Sequence, residues 1–230
     1  MRIDIISAVP QLLESPLQHS IVANAQENDL VEIHTHDLRD YSEDKHNKVD
    51  DYPYGGGAGM VLTPQPIFSC VKHLQSQREY DEIIFTAPNG DPFVQESANK
   101  LSICKNLMFL CGHYKGVDQR VIDTLITKTY TIGDFVLSGG ELPALAMVDA
   151  IVRLLPGALG DSESALTDSF QNDLLEGPVY TRPADFEGME VPKVLRSGDH
   201  QKVKEWRFEQ SLERTKKVRP DIYKKFRNEQ

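Results

Sequence analysis

Four glycine-bearing loops hold the residues of this chain that are best suited to bind a small ligand. The first is Asp50–Met60, in which four of the residues 55–59 are glycine. Glycine lets a backbone approach a flat ligand closely and adopts positive φ without steric cost. The others, Thr86–Gly90, Cys111–Gly116 and Ile132–Pro143, lie on or just after apolar, β-branched runs. Ligands of α/β proteins bind beyond the carboxyl ends of parallel strands, so these three loops predict one pocket.

The chemistry of such a pocket is set by free backbone N–H and C=O groups. These groups suit the edge of an adenine or the carboxylate of an amino acid, and no strong basic phosphate cradle accompanies them. The sequence lacks GxGxxG after a strand, GxxxxGK[ST], GxSxG and HExxH, so the common nucleotide and hydrolase fingerprints are missing. The pocket therefore fits an adenosyl ligand without phosphates better than ATP or NAD.

Each loop also has a plainer interpretation. The glycine loop Gly55–Gly59 could be a flexible surface loop, and Thr86–Gly90 could be an ordinary turn. Cys111 and His113 could mark a metal site or a thiol nucleophile, although a buried cysteine and a hydrogen-bonded histidine are more common at a strand end. Residue types alone leave these alternatives open.

Strands and helices alternate along the part of the chain that must position these loops. This order predicts βαβ units and a largely parallel sheet. The predicted strands are Arg2–Ala8, Leu30–His34, Glu82–Thr86, Leu107–Cys111 and Thr129–Leu137. The predicted helices are Pro16–Gln26, Pro64–Gln77, Phe93–Leu101 and Asp118–Leu125.

The next segment, Leu142–Leu155, is apolar almost all round and carries charge only at Asp149 and Arg153. A helix of this kind is buried, either in a core or at a subunit interface. After it, residues 160–172 are small and polar with little periodicity, which predicts a flexible linker.

The carboxyl-terminal part of the chain is basic although the whole chain is acidic. Residues 192–230 hold 12 Lys and Arg against 6 Asp and Glu, whereas the 230-residue chain has a formal net charge of −10. Basic amphipathic helices predicted over His200–Lys217 and Asp221–Arg227 form a second, small domain. This asymmetry indicates nucleic acid as a partner, and a solvated helix surface is the plainer alternative.

Composition excludes several classes of protein. A hydrophobic content of 40% and a charged content of 26% rule out global disorder. No apolar run reaches membrane-spanning length, and Asp4 interrupts the short apolar start, so we expect no membrane association, no signal peptide and a cytoplasmic location. Three cysteines without CxxC or metal-finger spacing predict neither a disulfide framework nor a structural zinc site.

Longer motifs at and beyond the glycine loops resemble one known family. The chain is similar to the bacterial tRNA (guanine-N1)-methyltransferase family, TrmD, in DDYPYGGGAGM, CGHYKGVDQRV, IGDFVLSGGELPALAMVDAIVRLLPGALG, TDSF, YTRPADFEGMEVPKVLRSGDH and WRFEQSLERT. The motifs keep the family's order and spacing, and the similarity runs from the amino terminus to about residue 220. It implies an α/β fold of the SPOUT class, with a parallel sheet, a deep trefoil knot and a small C-terminal helical domain.

The resemblance also implies an activity. Members transfer a methyl group from S-adenosylmethionine to N1 of guanosine 37 in tRNA, as obligate homodimers whose active sites combine both chains, with assistance from Mg²⁺. The implied domains are residues 1–160 for the methyl donor, 161–175 as a flexible linker and 176–230 for tRNA. We find no carboxylate cluster that indicates a metal site. Another SPOUT RNA methyltransferase, or a non-catalytic RNA-binding module, is the alternative.

Individual site residues follow from the same motifs. The residues that match the family's donor site are Gly112, Ile132, Gly133, Asp134, Phe135, Val136 and Leu137, with Thr86, Ala87, Pro88, Asn89, Gly139, Gly140 and Pro143 as further pocket walls. The segment similar to the one that flanks the target guanine is Gly55, Gly56, Gly57, Ala58 and Gly59. Asp168 and Arg153 match the catalytic aspartate and arginine, and Lys115 stands where the family usually has glutamate.

The chemistry of guanine N1 gives these two residues roles. N1 carries a proton, so a general base such as Asp168 must take it within hydrogen-bonding distance. The charge that then develops on O6 can be stabilised by the guanidinium of Arg153. Two plainer roles stay open, an N-cap for Asp168 in TDSF and an ion pair of Arg153 with Asp149.

Overall fold

The computed structural model of this chain describes residues 1–159 and 168–228. The chain divides into two compact units, Met1–Gly160 and Asp161–Gln230. Residues 161–167 of the predicted linker lie outside the described residues.

A parallel sheet forms the centre of the first unit. The described strands are β1 (Arg2–Ser7), β2 (Glu32–Asp37), β3 (Asp50–Asp51), β4 (Val61–Leu62), β5 (Glu82–Pro92), β6 (Asn106–Cys111), β7 (Lys128–Thr131), β8 (Asp185–Phe186) and β9 (Met189–Glu190). Five of them pair in parallel in the order β2-β1-β6-β5-β7. The short strands β3 and β4, and β8 and β9, form antiparallel pairs. The predicted α/β class with a parallel sheet is confirmed.

Helices cover both faces of this sheet. The described helices are α1 (Gln11–Leu17), α2 (Ser20–Glu27), α3 (Pro64–Gln75), α4 (Gln95–Ser102), α5 (Gln119–Leu125), α6 (Glu141–Val152), α7 (His200–Val218) and α8 (Pro220–Asn228), with 3-10 turns at Leu38–Tyr41 and Lys193–Arg196. Successive strand side chains point to opposite faces. Thus Ile3 and Ile5 join the core under α1, α2, α4 and α6, whereas Ile6 joins the core under α3 and α5.

Two predicted elements are interrupted where the backbone leaves its regular conformation. The predicted helix Pro16–Gln26 is two helices, because His19 is extended and Ser20 has a φ of 57°. The predicted strand Thr129–Leu137 ends at Thr131. There the Thr131 hydroxyl accepts a hydrogen bond from the Gly133 amide at 3.2 Å, and Gly133 has a φ of 154°, so the chain turns away from the sheet.

Helix α6 accounts for most of the predicted apolar segment. It is buried in the core of its own chain along one side, and Leu142, Ala146 and Asp149 form its exposed side. The two predicted locations for this helix were a core and a subunit interface. Most of its apolar residues are therefore buried in the core. Leu142 stays 53% exposed.

The second unit is built around α7 and α8. Residues 168–175, the described part of the predicted linker, form turns tied to α7. The Leu175 amide donates to the Thr215 hydroxyl at 2.8 Å, and the Ser211 hydroxyl donates to the Leu175 carbonyl. The predicted boundary of the C-terminal domain at residue 176 thus falls inside a hydrogen-bonded segment. None of the described helices is long and apolar enough to cross a membrane.

A buried carboxylate lies in the central strand β1. Asp4 is fully buried and accepts two hydrogen bonds from the Arg2 guanidinium at 2.9 Å, one from His36 at 2.7 Å and one from the Tyr80 hydroxyl at 2.7 Å. Burial alone would raise the pKa of the Asp4 carboxyl, but the bonds from His36, Arg2 and Tyr80 outweigh it and hold the pKa well below its usual range.

We expect the Asp4→Ala change to lower the free energy of unfolding by about 3–5 kcal/mol, because it leaves buried partners without their carboxylate. Glu32→Ala is the matched control. Glu32 also faces Arg2, but at 3.4 Å and 68% exposed, so its loss should cost no more than about 0.5 kcal/mol. Since the pKa is lowered, the stabilisation is complete above about pH 3.9 and is lost as the pH falls through the folded value. Urea unfolding of both variants at neutral and acidic pH measures this, and equal losses would refute it.

Candidate functional site

A cavity of about 670 Å³ opens at the carboxyl edge of the sheet. Its walls are the loops that follow β5 and β6 and the segment between β7 and α6. These are the three loops that the sequence predicts to meet. Small-molecule sites usually have volumes of about 300–1,000 Å³, so this cavity is of the right size for one small ligand.

Almost every residue predicted for the donor pocket lines this cavity. The exception is Asp134, which does not line it although its neighbours Gly133 and Phe135 do. The cavity also takes in residues that were not predicted, among them His113, Lys115 and others of the loop after β6. The motif CGHYKG could have predicted them. Its first glycine, Gly112, was predicted for the donor pocket, and the residues after Gly112 follow the end of the same strand.

Gly140 closes the wall between two of these loops. Its amide donates to the Gly112 carbonyl at 2.7 Å, and the Thr86 hydroxyl donates to the Gly140 carbonyl at 3.1 Å. A Cβ at position 140 would overlap Thr86 Oγ1 and would lie 2.8 Å from the Gly112 nitrogen. The three loops can therefore meet only if residue 140 is glycine.

A buried carboxylate lies directly behind this wall. Glu141 is 1% exposed and accepts a hydrogen bond from the Ser7 hydroxyl at 2.6 Å. Its other oxygen lies 3.8 Å from His113 Nδ1. Neither of these two buried atoms has a hydrogen-bond partner among the described residues. A Cβ on Gly139 would overlap this oxygen and lie 2.7 Å from His113 Nδ1, so a side chain at position 139 would have to displace these two groups.

Cys111, at the end of β6, is not suited to act as a nucleophile. Burial, and then the charge of Glu141, raise the pKa of its thiol well above the usual value, whereas a reactive cysteine has a low pKa and an accessible sulfur. The part of the chain that the structure describes contains no group of three His, Cys, Asp or Glu side chains that could hold a metal ion. Cys111 is buried at the strand end, as the plainer interpretation predicted, whereas His113 Nδ1 lacks the hydrogen bond that this interpretation predicted.

The segment after β7 places apolar side chains at the cavity mouth. The Phe135 amide donates to the Gly133 carbonyl at 2.9 Å, which makes a tight turn. Phe135, Val136 and Leu137 are 53%, 83% and 38% exposed. Exposed apolar residues that cluster in this way usually mark a surface that another molecule covers.

The glycine loop Gly55–Gly59 stands beside the same cavity without lining it. All of its residues are exposed, and Gly55, Gly56, Gly57 and Gly59 have positive φ. The Lys115 amide donates to the Met60 carbonyl at 2.9 Å, and a Cβ on Gly59 would lie 2.6 Å from Lys115 Cγ. Lys115 therefore joins the glycine loop to the cavity wall.

The two predicted catalytic side chains belong to different units. Arg153 follows α6, and its amide donates to the Asp149 carbonyl at 3.1 Å. Asp168 is partly buried and starts the described part of the second unit. The residues that follow Asp168 form turns, so no described helix begins there for it to cap.

This chain is similar to known proteins over nearly its whole length. The sequence model of the family described as tRNA (Guanine-1)-methyltransferase TrmD matches residues 1–225. Proteins named tRNA (guanine-N(1)-)-methyltransferase from Azobacteroides pseudotrichonymphae, Flavobacterium johnsoniae and Bacteroides thetaiotaomicron are 57%, 57% and 56% identical to this chain over 222 residues. The aligned region covers 96% of this chain and 100%, 98% and 99% of those relatives. Because the match includes both units and every loop of the cavity, this chain belongs to the tRNA (guanine-1)-methyltransferase TrmD family.

Proposed function

We propose that this chain methylates N1 of guanosine 37 in tRNA, with S-adenosylmethionine as the methyl donor. The observation that carries the proposal is the cavity at the carboxyl edge of the sheet, whose walls are the family's donor-site motifs. The relatives are named as tRNA (guanine-N(1)-)-methyltransferases, which supports the same reaction. The rival classes, another SPOUT RNA methyltransferase or an RNA-binding module without activity, fit the family match less well.

The cavity suits an adenosyl ligand with an amino-acid tail. Gly112, Gly139 and Gly140 line it without side chains, and Ile132, Val136 and Leu137 give it apolar walls for an adenine. Lys115 is the one cationic residue that lines it among the described residues, which makes a triphosphate a poor fit. When bound, S-adenosylmethionine supplies an activated methyl group on its sulfonium sulfur.

The protein's own residues must orient the base and move its proton. A guanine can reach the cavity only if it is unpaired and splayed out of its loop. We propose that the exposed glycine loop Gly55–Gly59 flanks this guanine. The Asp168 carboxylate takes the N1 proton, and the Arg153 guanidinium stabilises the charge that develops on O6. Alignment of donor and acceptor supplies much of the remaining acceleration.

We further propose a homodimer in which each active site uses both chains. Phe135, Val136 and Leu142 are exposed apolar residues that flank the cavity segment and α6, and a partner subunit would cover them. Helix α6 supports a homodimer less strongly than its apolar sequence predicts, because the core of its own chain buries most of its apolar residues. Sedimentation equilibrium tests this proposal, and a fully active monomer at micromolar concentration would refute it.

A deep trefoil knot and a cytoplasmic location also belong to the proposal. The knot rests on the resemblance to the family; the structure adds only that after β7 the chain pairs Gly139 with His113, next to the end of β6. Mg²⁺ assistance has no structural support, because the described residues hold no cluster of side chains suited to a metal ion.

The decisive experiment is methylation of tRNA transcripts that differ only at position 37. Guanosine at that position should be methylated, and adenosine should not. Equal methylation of both transcripts would indicate another SPOUT specificity. Failure to bind S-adenosylhomocysteine would indicate a non-catalytic RNA-binding module.

A further inference from the structure

A second cavity, also of about 670 Å³, lies wholly within the C-terminal unit. It is formed by residues 178–184, the 3-10 turn Lys193–Arg196 and the first half of α7. The sequence gives no pattern for it, since its members are spread over some thirty positions. It is separate from the motifs assigned to the donor and to the target guanine.

The charged side chains that line this cavity are all positive. Arg182, Arg196 and Arg207 line it and are exposed, and no acidic side chain lines it among the described residues. None of the three guanidinium groups has a hydrogen bond or ion pair within the described part of the chain, whereas the exposed Arg219, between α7 and α8, pairs with Asp221 at 2.7 Å. Uncompensated arginines around a concavity favour an anion, and their planar forks match phosphate.

The rest of the lining is apolar and aromatic. Val179, Leu195 and Val203 contribute apolar walls, and Tyr180 lies at the rim with 50% of its surface exposed. The Tyr180 ring lies 6.4 Å from the ring of Trp206, measured between centroids. A bare phosphate would use the arginines and leave these walls exposed. A nucleotide would use both, since a base stacks on aromatic rings and apolar surfaces while its phosphate meets the arginines.

We propose that this arginine cavity receives an unpaired nucleotide of the tRNA substrate, one that is distinct from the methylated guanosine. The inference rests on the proposed function only in taking tRNA as the partner. A paired nucleotide cannot present its base face to a concave site, so the cavity would also select for unpaired loops. The methylated base and this second nucleotide would then fix the tRNA at two points.

Full-length chains with two charge-matched changes test the proposal. Arg196→Gln with Arg207→Gln removes two charges from the cavity, and Lys224→Gln with Arg227→Gln removes two exposed charges from α8. Anisotropy of a labelled tRNA transcript gives the affinity of each chain. We expect the cavity pair to lower tRNA affinity at least roughly 10-fold more than the α8 pair. Equal losses would overturn the proposal, since the arginines would then contribute only general charge.

Trp206 provides a second, direct readout, because it is the chain's one tryptophan. Titration with uridine 5′-monophosphate should change its emission saturably in the wild type and the α8 pair, but not in the cavity pair. A response without any effect on tRNA affinity would overturn the assignment to tRNA in favour of a free nucleotide. A tRNA effect with a silent Trp206 would overturn the nucleotide in favour of a phosphate contact. A wild-type chain that binds tRNA without methylating it would refute the proposed function and leave the cavity result unaffected.

Discussion

Replacement of Asp168 by asparagine should slow single-turnover methyl transfer by at least roughly 10²–10⁴-fold, the contribution typical of a general base. Asparagine keeps the shape of the side chain and most of its hydrogen bonding but cannot take the N1 proton. Donor affinity and tRNA affinity should stay near the wild-type values. The measurement is rapid-quench methylation at saturating tRNA and saturating donor, which isolates the chemical step from binding.

Asp173→Asn is the matched control for this experiment. Asp173 lies in the same run of turns, has a φ of 54° that asparagine tolerates well, and pairs with the exposed Lys225 at 2.9 Å. Loss of an exposed ion pair has little effect, so this variant should react at nearly the wild-type rate. A near-normal rate in Asp168→Asn as well would make Asp168 a structural residue and leave the base unidentified.

Introduction of a single methyl group at Gly140 should strongly weaken donor binding. In Gly140→Ala the new Cβ meets the Thr86 hydroxyl and the Gly112 backbone, so two walls of the cavity must separate. Overpacking of this kind costs about 1–3 kcal/mol, and Gly140→Val should cost more. We therefore expect the affinity for S-adenosylhomocysteine, measured by calorimetry, to fall roughly 10–100-fold in the alanine variant.

Gly188→Ala separates this steric effect from the general cost of replacing glycine. Gly188 has a φ of 81° and open space around its Cβ position, and it lies in the turn of the β8–β9 pair. Its replacement strains the backbone but should leave donor affinity unchanged. If Gly140→Ala binds the donor as well as Gly188→Ala does, the donor pocket lies elsewhere.

The sequence predicted the cavity better than it predicted the backbone that forms it. Apolar runs that end in glycine identified the three loops. Such runs must be buried as strands, and the carboxyl ends of parallel strands lie at the same edge of the sheet. The segment Ile132–Leu137 was predicted as strand because it is apolar. It is a turn instead, since Gly133 and the Thr131 hydroxyl end the strand early. The apolar residues of this segment line the cavity and its exposed mouth and do not pack in the core.

The arginine cavity could not be predicted from the sequence. Arg182, Arg196 and Arg207 come from an irregular segment, a 3-10 turn and a helix, respectively. No helical or strand periodicity relates them, so only the tertiary fold brings them together. The Asp4 cluster is similar in part: Arg2 is two residues away on the same strand, but His36 and Tyr80 meet Asp4 only when the chain has folded.

The bond between Ser7 and Glu141 has a consequence for the order in which the protein is made. It joins residues 134 positions apart, and β1 is flanked in the sheet by β6, which begins about a hundred residues later. At about 5–20 residues per second, a ribosome delivers these parts roughly 5–30 seconds apart. Helices α1 and α2 and strand β2 are made soon after β1, but the other edge of β1 and its core contact with α6 stay open until β6 and α6 have been made. The first unit is thus expected to complete its core late in synthesis.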